Sequence, residues 1–218
     1  SSFAARSTRN PFTFEERKQM ISAVYPNETS VHINTFGNVQ SEPRIHVVPV
    51  SDYPYDDNKW INAIQYAVKE VVPDAVNIGL IGHSKDSTSY YLEIFPKWKN
   101  HVEVANVDNI NATDIRESIF DDKKYEKIMA NKMPPPTASK MFKIIDIESV
   151  SEFNTLFTEY EMIKKYKEAW KAAPFPPTFV TVDAVVIRSG HVLVVRRKGS
   201  PGRGLIALPG GFLNQKET

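Results

Sequence analysis

Two stretches of this chain carry residue types and spacings suited to ligand chemistry. The first is Gly82-His83-Ser84-Lys85-Asp86, a polar loop behind the branched run Val76-Asn77-Ile78-Gly79-Leu80-Ile81. A short apolar run bounded by turn residues is expected as a strand buried on both faces of a parallel sheet. The loop at the carboxyl end of such a strand is where open α/β sheets bind ligands. The second is Asn111-Ala112-Thr113-Asp114-Ile115-Arg116, reached through the apolar segment Val102 to Val107. Asn111 is expected to cap a helix, with Asp114 three residues on as an approximate capping box. Thr113 and Arg116 then share a face at the helix's positive end. Backbone N–H groups, a hydroxyl and a guanidinium fork converge there, as a polyphosphate requires. Taken alone, the same residues also read as a plain cap beside a solvated arginine.

The elements that must position these groups can be followed in order. Thr13 with Glu16 forms a capping box for a helix bearing Phe14, Ile21 and Val24, which Pro26 ends. Short strands are expected over Val31 to Asn34 and over Arg44 to Val50. Asp57 or Asn58 should cap the next helix, whose apolar stripe is Trp60, Ile61, Ile64, Val68 and Val71. Strand and helix alternate through the loop at Gly82 and the helix after Asn111, which argues a doubly wound, Rossmann-like α/β domain. A charged helix over Asp121 to Met133 follows, and Pro134-Pro135-Pro136 breaks the chain; Phe142 to Ile147 is too short to classify.

Ser149 and Glu152 are spaced as a capping box for a long helix whose stripe includes Phe153, Tyr160, Tyr166 and Trp170. Pro174-Phe175-Pro176-Pro177 stops it and reads as a stiff linker. Beyond the linker the period becomes that of strands, Phe179 to Ile187 and Val192 to Val195, around a hairpin turn at Arg188-Ser189-Gly190-His191. This organisation gives a first domain over 1–133, a helical and proline-rich segment over 134–177, and a further domain starting at 178.

Composition narrows the function classes. The chain has 218 residues, enough for a substantial core, and a formal net charge of +1 with both signs interspersed. No electrostatic footprint for DNA or RNA is visible. With Cys at 0 there is neither a disulfide framework nor a thiolate metal site. No apolar run has membrane-spanning length and no signal-peptide pattern opens the chain, so a cytoplasmic protein is expected.

The segment Ile110-Asn111-Ala112-Thr113-Asp114-Ile115-Arg116 resembles the Ile-Ser-Ser-Thr-x-Ile-Arg signature of nucleotidyltransferases, specifically the nicotinamide mononucleotide adenylyltransferases. Gly82 to Asp86 falls where that family has its ribose-contacting Gly-x-Asp loop, at a longer spacing here. Asn10-Pro11-Phe12 with Arg17 resembles the family's Asn-Pro-Phe…Glu-Arg segment beside the active site. The resemblance implies that Thr113 and Arg116 serve catalysis, and that Asn10, Arg17, Gly82, Asp86 and Asn111 bind substrate. It also implies that Trp60 stacks on the nicotinamide ring, where the residue type alone points more readily to a core position. The family's histidine motif, His-x-Gly-His, does not occur.

At the other end, Ala207-Leu208-Pro209-Gly210-Gly211-Phe212, with Glu217 six positions after Gly211, matches the Gly-x5-Glu opening of the Nudix box. That family hydrolyses nucleoside diphosphate linkages with Mg²⁺ held by box glutamates. The resemblance implies a Nudix half of α/β/α architecture, with Arg196 and Arg197 toward its substrate and Glu217 as a minor metal contributor. The Arg-Glu-x-x-Glu-Glu remainder of the box does not follow. Together the halves resemble the bacterial bifunctional adenylyltransferase and ADP-ribose pyrophosphatase enzymes. The implied partners are ATP, nicotinamide mononucleotide, NAD and ADP-ribose, with homo-oligomerisation left open. Both missing motifs lead to the expectation of a longer polypeptide, and of aggregation and inactivity for these residues made alone. An NAD- or ADP-ribose-sensing regulator, or an adenylyltransferase with a non-catalytic Nudix half, are the alternatives.

Overall fold

A computed structural model of the chain describes residues 3–26, 29–33, 39–43, 45–84, 87–98, 100–106, 110–121 and 132–212. It divides into two compact units, Ser1–Ser149 and Val150–Thr218.

In the first unit, helix α1 spans Phe14–Val24, and both halves of the Thr13–Glu16 capping box are present. Its buried residues are Glu16 and Met20, whereas Ile21 is exposed. The apolar stripe through Phe14 and Ile21 therefore does not mark the inward face. A charged residue can take that face because its carboxylate is paired (below). Strands β1 (Thr29–Ile33) and β2 (Val39–Pro43) form an antiparallel hairpin. The strand expected over Arg44 to Val50 is not found: residues 45–50 lack regular structure. Of the expected first strand, Asn34 lies outside the described residues.

Helix α2 (Asp57–Val71) is capped by Asp56, one residue before the expected cap, through Lys59 N to Asp56 Oδ1 at 3.0 Å. Strand β3 (Gly79–Gly82) pairs in parallel with β4 (Asn100–Glu103), in the register Gly79 to Asn100 and Gly82 to Glu103. The expected burial on both faces does not hold, since Ile81 is 73% exposed, Val76 92% and Val102 57%. Among the described residues this sheet has two strands, so neither face is covered as it would be between helical layers. Between the strands a 3-10 turn, Ser87–Leu92, brings Leu92 against the end of β3. A Cβ at Gly82 would lie 2.7 Å from Leu92 Cδ2, so a larger residue there would push the Leu92 side chain aside.

Helix α3 spans Ala112–Phe120 and buries Ser118, Ile119 and Phe120. The helix expected over Asp121 to Met133 falls mostly on 122–131, outside the described residues. Pro134-Pro135-Pro136 is a helix start as much as a break: α4 runs Pro135–Lys143 with proline in its first turn, where the missing N–H costs nothing. A π-helical segment, Ile144–Glu148, continues it and takes up the unclassified run. Helix α4 packs on α1, with Thr137 Oγ1 donating to Met20 O at 3.2 Å. Met20, Leu92, Phe95, Ile119, Phe120, Met141, Ile144 and Ile145 are the large buried apolar side chains of this unit. Each contributes about 1.5–3 kcal/mol by leaving water.

The second unit opens with α5 (Val150–Ala169). Ser149 Oγ donates to Glu16 Oε1 at 2.9 Å within the first unit, and Ser151 Oγ donates to Glu152 Oε2 at 2.7 Å in the first turn of α5. Tyr166 near the end of α5, Phe179 and Phe212 form an aromatic cluster with centroid separations of 5.4, 5.8 and 6.0 Å. Strands β5 (Thr181–Asp183), β6 (Ile187–Arg188), β7 (His191–Val192), β8 (Val195–Arg196), β9 (Ile206–Ala207) and β10 (Gly210–Phe212) pair antiparallel as β5/β10, β6/β7 and β8/β9. Ser189 (φ 50°) and Gly190 (φ 75°) make the two-residue turn of the expected hairpin, both in the left-handed region that such a turn requires.

Gly210 sits opposite Asp183, and a Cβ there would lie 2.2 Å from Val182 O. Gly210→Ala should therefore separate β5 from β10 and cost about 1–3 kcal/mol. Gly211→Ala, with nothing within 4 Å of its Cβ position, should be nearly neutral. Urea titrations of both variants check this; equal midpoints would contradict the role given to Gly210.

Candidate active site

The carboxyl ends of β3 and β4 carry a cluster of polar side chains. Gly82-His83-Ser84 leaves β3 and is tied to β4 residue by residue. Val104 N donates to Gly82 O at 2.8 Å, and His83 Nδ1 donates to Val104 O at 2.9 Å. The Glu103 carboxylate accepts the Ser84 backbone N–H at 2.8 Å and the Ser84 hydroxyl at 2.9 Å. Two imidazoles flank the same carboxylate, His83 at 3.4 Å and His101 at 3.6 Å. The Ser84 N–H, then its hydroxyl and the two imidazoles, hold the Glu103 carboxyl below the usual carboxylate range. Sequence reasoning marked Gly82 but missed Glu103 and His101, because only the parallel register sets them beside the loop. Asp86 lies outside the described residues.

At the start of α3, Asn111 is extended (φ −119°, ψ 124°) and its Oδ1 accepts the Thr113 N–H at 2.9 Å. The cap is thus the expected residue, closing on Thr113 N. One turn on, Arg116 Nη2 donates to Thr113 Oγ1 at 3.0 Å. That bond holds the guanidinium over the helix's first turn, where the helix dipole favours anions. Thr113 is exposed and Arg116 partly so.

Trp60, in the first turn of α2, lines an open cleft of about 360 Å³ with Asp52, Tyr53, Asp57, Tyr90 and Tyr91. Its indole meets Tyr91 edge-on, with centroids 6.4 Å apart, and tilts against Phe95 at 5.7 Å. Phe95 in turn stacks on Trp98 at 4.9 Å. Tyr90 Oη donates to Asp57 Oδ1 at 3.3 Å across the cleft. Trp60 is half-buried, so it is neither a core residue nor a free platform: part of it packs and part lines the cleft. The consecutive pair Tyr90-Tyr91 was the available signal for this cleft and went unread.

Asn10 closes a short turn with Ser7, its N–H donating to Ser7 O at 3.0 Å. Arg17 Nε donates to Thr13 O at 3.4 Å, back toward the preceding loop as expected. Between them lies a polar network that the sequence did not reveal. Arg6 donates to Glu16 Oε1, to Pro11 O at 2.9 Å and to Ser149 Oγ at 3.1 Å. Ser149 Oγ also donates to Glu16 Oε1 at 2.9 Å, and Thr13 N to Glu16 Oε2 at 2.8 Å. Burial alone would raise the Glu16 pKa; the Arg6 guanidinium and the Thr13 and Ser149 hydrogen bonds outweigh it and hold it below the ordinary value.

In the second unit, Arg196 Nη1 donates to Gly204 O at 2.8 Å, and the Arg197 backbone pairs with Gly204 and Leu205. The Glu159 carboxylate accepts the Gly202 N–H at 2.7 Å and the Arg203 N–H at 3.3 Å. The glycine-rich loop is thereby pinned to α5. Glu217 lies outside the described residues. Among the described residues no cluster of three or more His, Asp or Glu could hold a metal ion. Among them, too, no helix is long and apolar enough to cross a membrane.

No protein-family model matches the chain. A crystal structure of a bifunctional NMN adenylyltransferase/ADP ribose pyrophosphatase from Francisella tularensis, complexed with AMP and an Mn ion, matches 100% of this chain at 35% identity, with a TM-score of 0.75. The chain is similar to this bifunctional enzyme over its whole length. A second structure of the Francisella tularensis enzyme matches equally completely, at 36% identity and a TM-score of 0.76. The nicotinamide/nicotinic acid mononucleotide adenylyltransferase of Acinetobacter baylyi is 29% identical over 168 residues, 77% of this chain and 73% of that protein. The chain spans 59% and 60% of the two solved chains. The resemblance expected from the motifs holds over the whole chain, and with it the α/β nucleotidyltransferase architecture followed by the Nudix start.

Proposed function

We propose that the whole protein joins ATP and nicotinamide mononucleotide into NAD and pyrophosphate, and that its Nudix half hydrolyses ADP-ribose to AMP and ribose 5-phosphate. The observation that carries this reading is the likeness to the bifunctional enzymes over 100% of the chain. In the first reaction a phosphate oxygen of the mononucleotide attacks the α-phosphorus of ATP, and pyrophosphate leaves in line. Such a transfer needs positioning and charge neutralisation rather than covalent help. Arg116, oriented by Thr113 at the start of α3, supplies a guanidinium fork and neighbouring backbone donors for the phosphates. Gly82 and Asp86 serve the ribose, and Asn10, Arg17 and Asn111 complete the substrate contacts. Arg196 and Arg197 serve the substrate of the second reaction, and Glu217 contributes to its metal. A divalent cation, Mg²⁺ in this reading, accompanies the nucleotide phosphates and neutralises their charge. The cytoplasm, where these nucleotides occur, is the compartment that follows.

The cleft at Trp60 gives the test. Its aromatic walls and the carboxylates of Asp52 and Asp57 suit a flat cationic pyridinium ring. Trp60→Ala should weaken the KM for nicotinamide mononucleotide by the cation–π share of about 0.5–2 kcal/mol, roughly 2- to 30-fold. Trp60→Phe should recover part of it, and the KM for ATP should stay put. NAD formation followed chromatographically, with each substrate varied in turn, measures this. A whole protein that makes no NAD from the two substrates would overturn the proposal. A Trp60→Ala variant with an unchanged mononucleotide KM would remove Trp60 from it.

A further inference from the structure

Glu103 holds a position that stability does not explain. Its side chain is 51% exposed, and an exposed carboxylate among polar partners adds little to folding. Even so, it engages four groups: the Ser84 N–H, the Ser84 hydroxyl, and the imidazoles of His83 and His101. Three consecutive loop residues, Gly82, His83 and Ser84, are thereby anchored to Glu103 and Val104 at the end of β4. Gly82 is pressed against Leu92 from the other side. The loop leaving β3 is thus fixed by contacts rather than free to wander, at the strand end where parallel sheets receive their ligands.

We propose that Glu103 is a positioning residue that clamps the turn 82–84 in the shape that binds the nucleotide. This rests on the adenylyl-transfer reading above. Glu103 touches no substrate itself; its carboxylate fixes the Ser84 backbone and hydroxyl, while Val104 N holds Gly82 O beside them. Each carboxylate oxygen takes one Ser84 donor, the N–H on Oε1 and the hydroxyl on Oε2.

The test uses Glu103→Ala and Glu103→Gln in the whole protein, with three readouts: Ser84 amide exchange, ATP affinity by calorimetry, and steady-state kinetics. Glu103→Ala should lower Ser84 amide protection about tenfold and leave Leu80 unchanged. It should weaken ATP binding about tenfold, raise the KM more than it lowers kcat, and leave the melting temperature nearly unmoved. Glu103→Gln keeps one acceptor oxygen for the Ser84 N–H and should restore most of the affinity. Wild-type protection and affinity in Glu103→Ala would overturn the proposal, as would faster exchange with unchanged affinity, or a lowered melting temperature as the sole effect. A wild type that binds ATP through a Glu103-dependent loop yet forms no NAD would sink the adenylyl-transfer reading and leave the clamp standing. A wild type that forms NAD regardless of residue 103 would do the reverse.

Discussion

Replacing Arg116 with alanine should lower kcat/KM for ATP by roughly 10- to 150-fold while the protein stays folded. The range is the loss of a charge-assisted hydrogen bond to phosphate, about 1.5–3 kcal/mol. The fold should survive because Arg116 is only partly buried and its assigned bond within the protein is to Thr113 Oγ1 at 3.0 Å. Arg116→Lys should recover little. A lysine keeps the charge but lacks the fork that reaches a hydroxyl and a phosphate together. Thr113→Val should show a smaller loss, since the guanidinium would keep its charge and lose its tether. Kinetics with ATP varied, beside a melting curve for each variant, decide the matter. Wild-type kinetics in a folded Arg116→Ala protein would return this stretch to the reading of a plain cap with a surface arginine.

Glu16→Ala should be the most damaging substitution for the first unit. The Arg6 and Glu16 side chains are only 19% and 11% exposed, so removing the carboxylate takes the Glu16 charge from a guanidinium largely shut off from water. Breaking such a pair costs about 3–5 kcal/mol. At about 2–4 °C per kcal/mol for a chain of this size, the melting temperature should fall by roughly 6–20 °C. Replacing Arg6 and Glu16 together with methionine should cost less than Glu16→Ala alone, because neither charge then has to be kept from water. The pH dependence follows from the same contacts. The folded-state pKa of Glu16 is lowered from its ordinary 4.5. Its stabilisation is therefore fully present above that value and is lost as pH falls through the folded-state value. Wild-type protein should lose stability on acidification below about pH 4.5 more steeply than Glu16→Ala. Parallel acid profiles, or a shift under 1 kcal/mol in urea, would show the network to be solvated.

The features legible in the sequence were those that close over a few residues. The Thr13–Glu16 box, the Asn111 cap, the Ser189-Gly190 turn and the proline stop after α5 all formed as expected. Each depends on one side chain meeting backbone within a single turn of chain, so spacing and residue type suffice. The motifs at Asn111 to Arg116 and at Leu208 to Phe212 likewise pointed to the relatives found by comparison. Everything that needed a distant partner stayed hidden. The inward face of α1 is set by Glu16 and Met20, because Arg6 and Ser149, 143 residues apart, make a buried carboxylate tolerable. The run 45–50 was apolar enough for a strand, yet β2 ends at Pro43 and these residues carry no regular structure. Trp60 became the wall of a cleft only when the 3-10 turn placed Tyr90 and Tyr91 beside it. Glu103 came to hold Ser84 only through the parallel register that sets Gly82 opposite it. Local hydrogen bonds are specified by neighbours in sequence, whereas burial, pairing and register are specified by whatever the chain brings alongside, and that is decided by tertiary packing.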